Sequence, residues 1–163
     1  MSSQTHLMVL ENLAIPTGVV RPGARIRDFL TECIRCKVPG LPYVDATGRI
    51  IGRISLRHCF KTSCIPLYLI EAAAVLGDNI EEVNIPDVQV EQFLDEPVER
   101  HLLKPMARTS SRSPVIKGLA IMERFNTGYI FLIDDGVYKG VVTHLEIAQR
   151  LIEHSRFNQE RRT

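Results

Sequence analysis

The sequence predicts an α/β chain built from two copies of one small helix-and-hairpin unit. Three observations carry this expectation. Gly40, Gly48 and Gly52 recur without a gap as Gly128, Gly136 and Gly140; in the same register Val44 falls on Leu132 and Ile54 on Val142; and Ser55 falls on Thr143. A repeat of this size marks paired structural units, each too small to bury its apolar face alone. Each copy reads as a helix, a glycine, a short apolar strand, a turn, a second apolar strand and a helix opened by Ser or Thr.

In the first copy, Ile26, Phe29, Leu30 and Cys33 fall at helical spacing over 24–37, while Arg25, Arg27, Asp28, Glu32 and Arg35 take the other faces. This is an amphipathic helix. Pro39-Gly40 ends it, because proline disfavours helix for the residue before it and glycine permits the reversal. Leu41 to Val44 is then a strand, Asp45-Ala46-Thr47-Gly48 a turn, and Arg49 to Ile54 the antiparallel return, with Gly52 leaving room for a close approach and Ser55 an N-cap.

The second copy repeats this order. Ser113-Pro114 reads as a cap followed by proline at the first helical position, and Val115, Leu119, Met122 and Phe125 recur along one face. Asn126-Thr127-Gly128 stops the helix, Tyr129 to Ile133 is an apolar strand, Asp134-Asp135-Gly136 a hairpin turn, and Val137 to Val142 the return strand. Thr143 starts a last helix whose Ile147, Leu151 and Ile152 are expected to face the core, followed by a charged, frayed tail from Arg156. Between the copies, Pro66 to Leu76 and Val90 to Leu94 read as helices around a loop at Asn84-Ile85-Pro86-Asp87. Leu67, Leu69, Ile70 and Val75 need cover, from the repeat core or from a partner subunit.

Composition narrows the function classes. Lys and Arg total 20 against 19 Asp and Glu, so no global field draws the chain to nucleic acid or an anionic membrane. The start, Met1 to His6, lacks the basic and apolar segments of a signal peptide, and the apolar stretch from Ile65 to Leu76 is broken by Glu71 and too short to span a bilayer. A cytoplasmic protein is expected, its four cysteines thiols rather than disulfides.

The repeat resembles the CBS domain, a small β-α-β-β-α module that usually occurs in pairs and often senses adenosine-containing ligands. The resemblance rests on Gly40 to Asp45 with Gly48 to His58, and on Gly128 to Gly136 with Gly140 to Glu146. It implies an α/β (α+β) fold of two repeats in a pseudo-two-fold arrangement with a helical insert. The units expected are a first repeat at 17–60, the insert at 61–97, a second repeat at 98–152 and the tail at 153–163. It also implies a homodimer and a regulated partner protein of unknown identity, with no cofactor beyond an adenine nucleotide as ligand.

In the family, the ligand sits between the repeats, the base against apolar strand residues and the ribose on an Asp three residues after the Ser or Thr that opens the helix. The hydroxyls carry over to Ser55 and Thr143; the Asp positions hold His58 and Glu146, so the chain departs from the pattern twice. Glu146 keeps a carboxylate that can accept from a ribose and marks the better site. His58, with Arg57 beside it and Arg53 across the turn, suits a phosphate instead, which favours a phosphorylated ligand. The same residues read equally well as helix caps and solvated surface charges. For the base, the resemblance points to Val20, Leu41, Pro42 and Ile54, and to Thr109, Tyr129, Ile130 and Val142, most of them equally suited to the core.

Two other functions are open to the sequence. A ligand-free interaction module would explain the twice-altered carboxylate. Cys33-Ile34-Arg35-Cys36 with Cys59 and Cys64 has the makings of a thiolate metal site, although Cys33 lies on an apolar helix face where its repeat mate is Ile121. No nucleophile with a base, phosphate-cradling glycine loop or acidic pair at catalytic spacing stands out, so an enzyme is not expected.

Overall fold

A computed structural model describes residues 8–82 and 87–161, those at 80–82 by backbone alone. In the first copy, α1 (Ile26–Cys36) leads to β1 (Gly40–Val44), β2 (Ile50–Ser55) and α2 (Leu56–Ser63). The insert follows, with α3 (Leu67–Leu76) and α4 (Val90–Leu94). The second copy holds β3 (Arg108–Thr109), α5 (Val115–Arg124), β4 (Tyr129–Asp134), β5 (Val137–Thr143) and α6 (His144–Glu160). Asn84, Ile85 and Pro86 of the expected loop lie outside the described residues.

β1 and β2 pair antiparallel, as do β4 and β5, and β3 joins β4 in parallel. The first copy has the same leading strand reduced to one bridge: Val20 pairs Tyr43 in parallel, and the register carries this pair onto Arg108 and Phe131 of β3 and β4. Both copies therefore follow the order strand, helix, strand, strand, helix.

The segments that precede the two copies cross over. Ile15 exchanges two backbone hydrogen bonds with Val141 of β5, at 2.8 and 3.0 Å, and Leu103 exchanges two with Arg53 of β2, at 2.8 and 3.0 Å. These four residues are two register pairs, Ile15 with Leu103 and Arg53 with Val141, so the exchange is reciprocal and sets the pseudo-two-fold. Gly52 and Gly140 permit it. A Cβ at Gly52 would stand 2.5 Å from the Leu103 carbonyl oxygen, and one at Gly140 2.7 Å from that of Ile15. Upstream of each crossing lies a 3-10 turn, Leu10–Leu13 in one case and Val98–His101 in the other, again in register.

β4 is a shared wall. Its side chains alternate, so Tyr129 and Phe131 join the first core with Ile26, Phe29, Leu41 and Ile54, while Ile130 and Leu132 join the second with Leu10, Val115, Met122 and Ile147.

Several expectations need correction. Ser113 does not cap α5: its hydroxyl bonds the Thr109 hydroxyl at 2.8 Å, and Pro114 stands at the N-cap. Of the α6 residues expected in the core only Ile147 is buried, where it joins the second apolar core; Leu151 and Ile152 are exposed and pack in neither core. Nor does the tail fray at Arg156. The helix runs to Glu160, supported by Gln149 on Glu153, Asn158 against His154, and Arg161 stacked over Phe157. In the insert, α4 buries Phe93 in the first core, but no residue of α3 is buried.

Candidate functional site

The cleft that holds most of the predicted polar residues measures about 210 Å³ and lies where the two copies meet. β2 supplies Arg53 and Ser55. One face of α2 supplies Arg57, His58 and Lys61, at a spacing that one helix turn brings together. The second copy supplies Leu103 and the turn Asn126-Thr127-Gly128. Four basic side chains therefore line the cleft, and no carboxylate does.

Arg53 is held in place: its Nε donates to the Pro105 carbonyl at 2.9 Å, its Nη1 to the Tyr129 hydroxyl at 2.7 Å, and its guanidinium lies 5.8 Å from the Tyr129 ring centre. Tyr129 fills the space opposite Gly40, where a Cβ would meet its hydroxyl at 2.5 Å. Ser55 is buried at the N-cap of α2, but its hydroxyl does not cap the helix, and the first turn carries no acid. The leading amides of α2 thus add partial positive charge to a site already basic.

The register mate of this site is built differently. Thr143 accepts from the Leu145 amide at 3.2 Å, and Glu146 accepts from both the amide and the hydroxyl of Thr143, closing a capping box on α6. The spacing Thr-x-x-Glu was the signal for this box in the sequence. Ser55 and His58 cannot form one, which leaves their helix start open.

Behind the cleft lies a buried polar cluster. His101 is fully buried, with Nε2 2.7 Å from Glu96 Oε2; Ser63 donates to the same oxygen at 2.8 Å, and His101 Nδ1 finds no partner among the described residues. The His101 ring meets that of His58 edge to face, with centres 6.4 Å apart. Burial, followed by the charges of His101, Lys61 and Arg53, holds the His58 pKa below the ordinary histidine value. Glu96 lies below the usual carboxylate range: although burial opposes it, the bonds from His101 and Ser63 and the nearby Arg100 prevail. Ser63 and Glu96 both meet Nε2, so the trio is not arranged as a nucleophile relay.

The structure therefore joins Ser55, Arg57 and His58 in one cleft and sets Thr143 and Glu146 at the related position. The residues assigned to the base are largely core: Val20, Leu41, Pro42, Ile54, Ile130 and Val142 are buried, and Thr109 bonds Ser113. Sequence reasoning missed Lys61, Glu96, His101 and the 126–128 turn. The register places that turn at the start of α6, where the His144 amide donates to the Gly128 carbonyl at 3.1 Å, so it gives no signal that the turn also lines the α2 cleft. Cys33 and Cys59 are buried, and burial pushes both thiols up to about 12. Among the described residues no three His, Cys, Asp or Glu side chains cluster so as to hold a metal.

The architecture matches solved structures. A CBS domain-containing protein from Bacillus anthracis aligns over 89% of this chain and 93% of its own, with 15% identity and a TM-score of 0.62. Another from Kribbella flavida aligns over 89% and 98%, with 19% identity and a TM-score of 0.60. The chain has the fold of a CBS domain pair. A third similar structure is the CBS domain pair of protein MJ0100 in complex with 5′-methylthioadenosine and S-adenosyl-L-methionine, at 16% identity, 90% and 97% coverage and a TM-score of 0.57. No protein-family model matches the sequence of this chain. In sequence, it is 24% identical over 147 residues to the A-adding tRNA nucleotidyltransferase of Aquifex aeolicus, which is 90% of this chain but only 15% of that protein's length. Among the described residues no single helix is long and apolar enough to cross a membrane.

Proposed function

We infer that this CBS pair is a regulatory module of the cytoplasm that binds a phosphorylated adenosine-type ligand in the Arg53–His58 cleft and passes its occupancy to a partner protein, without catalysis of its own. The observation that carries the reading is the open, acid-free start of α2, ringed by Arg53, Arg57, His58 and Lys61. Helix amides and guanidinium groups suit phosphate oxygens. The cleft of about 210 Å³ is smaller than the roughly 300–1,000 Å³ of small-molecule sites. It fits the phosphorylated end of a nucleotide, and the base would require Tyr129 and Arg53 to move. The related structure that holds adenosine derivatives supports the ligand class. Occupancy biases the arrangement of the repeats only by the difference in affinity between arrangements.

Thermal unfolding against AMP, ADP, ATP, S-adenosylmethionine and NAD tests this. A ligand at about a hundred times its dissociation constant adds roughly 2.7 kcal/mol, which raises the midpoint by several degrees in a chain of this size. The rise is expected for phosphorylated ligands, lost in Arg57→Ala and His58→Ala, and kept in Glu146→Ala. A second reading has its own observation. Arg53 lines the cleft with its guanidinium held on the Tyr129 hydroxyl, and the base-side residues are core, as in a pair that binds protein and no small ligand. No shift with any ligand would favour it.

A further inference from the structure

The two copies act as each other's control. Ser63, Glu96 and His101 have Leu151, Met8 and Leu13 as register mates, and the surroundings correspond: α2 packs on the 3-10 turn Val98–His101 as α6 packs on Leu10–Leu13. Met8 and Leu13 belong to the second apolar core. The place in the fold that holds the Glu96 carboxylate and the His101 imidazole in one copy thus holds packed hydrocarbon in the other, while Leu151, the mate of Ser63, is exposed. Burying charged and polar groups is costly where apolar residues of similar volume will pack, and here Met8 and Leu13 show that they pack at the places of Glu96 and His101. The polar cluster answers to something other than folding.

Its one neighbour with a candidate role is His58, whose ring abuts His101 and whose side chain lines the cleft. An anion entering between Arg53, Arg57 and Lys61 stabilises His58 in its protonated form. Glu96, 2.7 Å from Nε2 of the His101 ring that His58 abuts, is a counter-charge to that proton. Around the cluster stand the cations Arg53, Arg57, Lys61 and Arg100, the last 3.6 Å from Glu96, and the thiols Cys59 and Cys64, which feel the Glu96 charge. Glu96 is the carboxylate that faces the imidazole pair, 12% exposed against the complete burial of His101.

We propose that anion binding in the Arg53–His58 cleft is coupled to uptake of a proton by His58, with Glu96, Ser63 and His101 as positioning residues that hold the cluster ready to accept it. This rests on the reading of the cleft as a phosphate site. It makes the module respond to pH as well as to its ligand, binding more tightly as pH falls toward the His58 pKa. Each pH unit above that pKa weakens binding by up to about tenfold, the limit for one linked proton.

The test installs the second copy's residues in the first: Ser63→Leu, Glu96→Met and His101→Leu together, beside His101→Leu alone. Histidine C2–H resonances are followed from about pH 5 to 8, with and without sulfate, an anion whose own charge stays constant there. In the natural chain, sulfate is expected to raise the His58 pKa and to bind more tightly at lower pH. The triple variant is expected to fold with unchanged or higher stability and to bind sulfate with a flattened pH profile. Sulfate binding that does not change with pH in the natural chain would overturn the proton coupling and leave the phosphate site standing, and the same pH-dependent profile in both proteins would overturn the positioning role of the cluster. A triple variant that loses stability while natural-sequence His58 does not shift would make the cluster structural. Absence of sulfate binding to the natural chain at every pH would overturn the cleft reading itself, and the coupling with it.

Discussion

Gly52 and Gly140 show how a single residue decides whether the copies join. Both lack a side chain because a carbonyl oxygen of the crossing segment occupies its place, at 2.5 and 2.7 Å from where a Cβ would lie. Gly52→Ala is expected to cost about 1–3 kcal/mol, the range for forced overpacking, and to speed amide exchange at Arg53 and Leu103. Gly48→Ala, with φ +83 but open space around it, costs about 1 kcal/mol through its backbone alone and leaves those amides protected. Glu96 gives a second prediction. Its folded pKa lies below its unfolded value, so the stability it contributes is present above the ordinary carboxylate pKa and lost as pH falls through the folded one. Glu96→Gln is expected to lower stability by about 1–3 kcal/mol at neutral pH, by weakening charge-assisted bonds to buried partners. It should also flatten the decline below about pH 4.5 in an acid unfolding series.

At the level of elements, the helices and hairpins were legible wherever glycine, proline and apolar period agreed: α4 runs over Val90–Leu94 as the pattern predicts, and the hairpins fall within a residue of their expected ends. What the pattern could not show was which hydroxyl caps a helix. Ser55, Ser113 and Thr143 look alike in sequence, yet only Thr143 has a glutamate at the third helical position to close the box, while Ser55 and Ser113 turn to Tyr129 and Thr109. The candidate site was legible in part for the same reason. Neighbours along β2 and α2 could be read, but Glu96 and His101 lie behind the cleft on the segment that leads into the crossing, far from it in sequence. α3 is apolar apart from Glu71 and the Tyr68 hydroxyl, with Leu67, Tyr68 and Val75 more than half exposed. If a second copy covers it, as the expected homodimer requires, sedimentation of Leu67→Asp with Val75→Asp shows a monomer where the natural chain is a dimer; equal masses would exclude α3 from the contact.

For the whole molecule, the repeat is the simplest fact and the least symmetric in detail. The fold needs both copies, since each strand edge is completed by the other's leading segment and β4 serves two cores. Their helix starts differ: one is closed by Glu146, the other left open beside Arg53, Arg57, His58 and Lys61. The reciprocal crossing also has a consequence for biosynthesis. When β2 leaves the ribosome, the partner of its Arg53 edge has not yet been made, and at roughly 5–20 residues per second that edge waits for seconds until Leu103 emerges. Two nascent chains on one messenger can meet in that interval. Because the bonds offered by a sister chain's Leu103 are identical to those in cis, nothing in the geometry of the crossing itself forbids an exchanged pair.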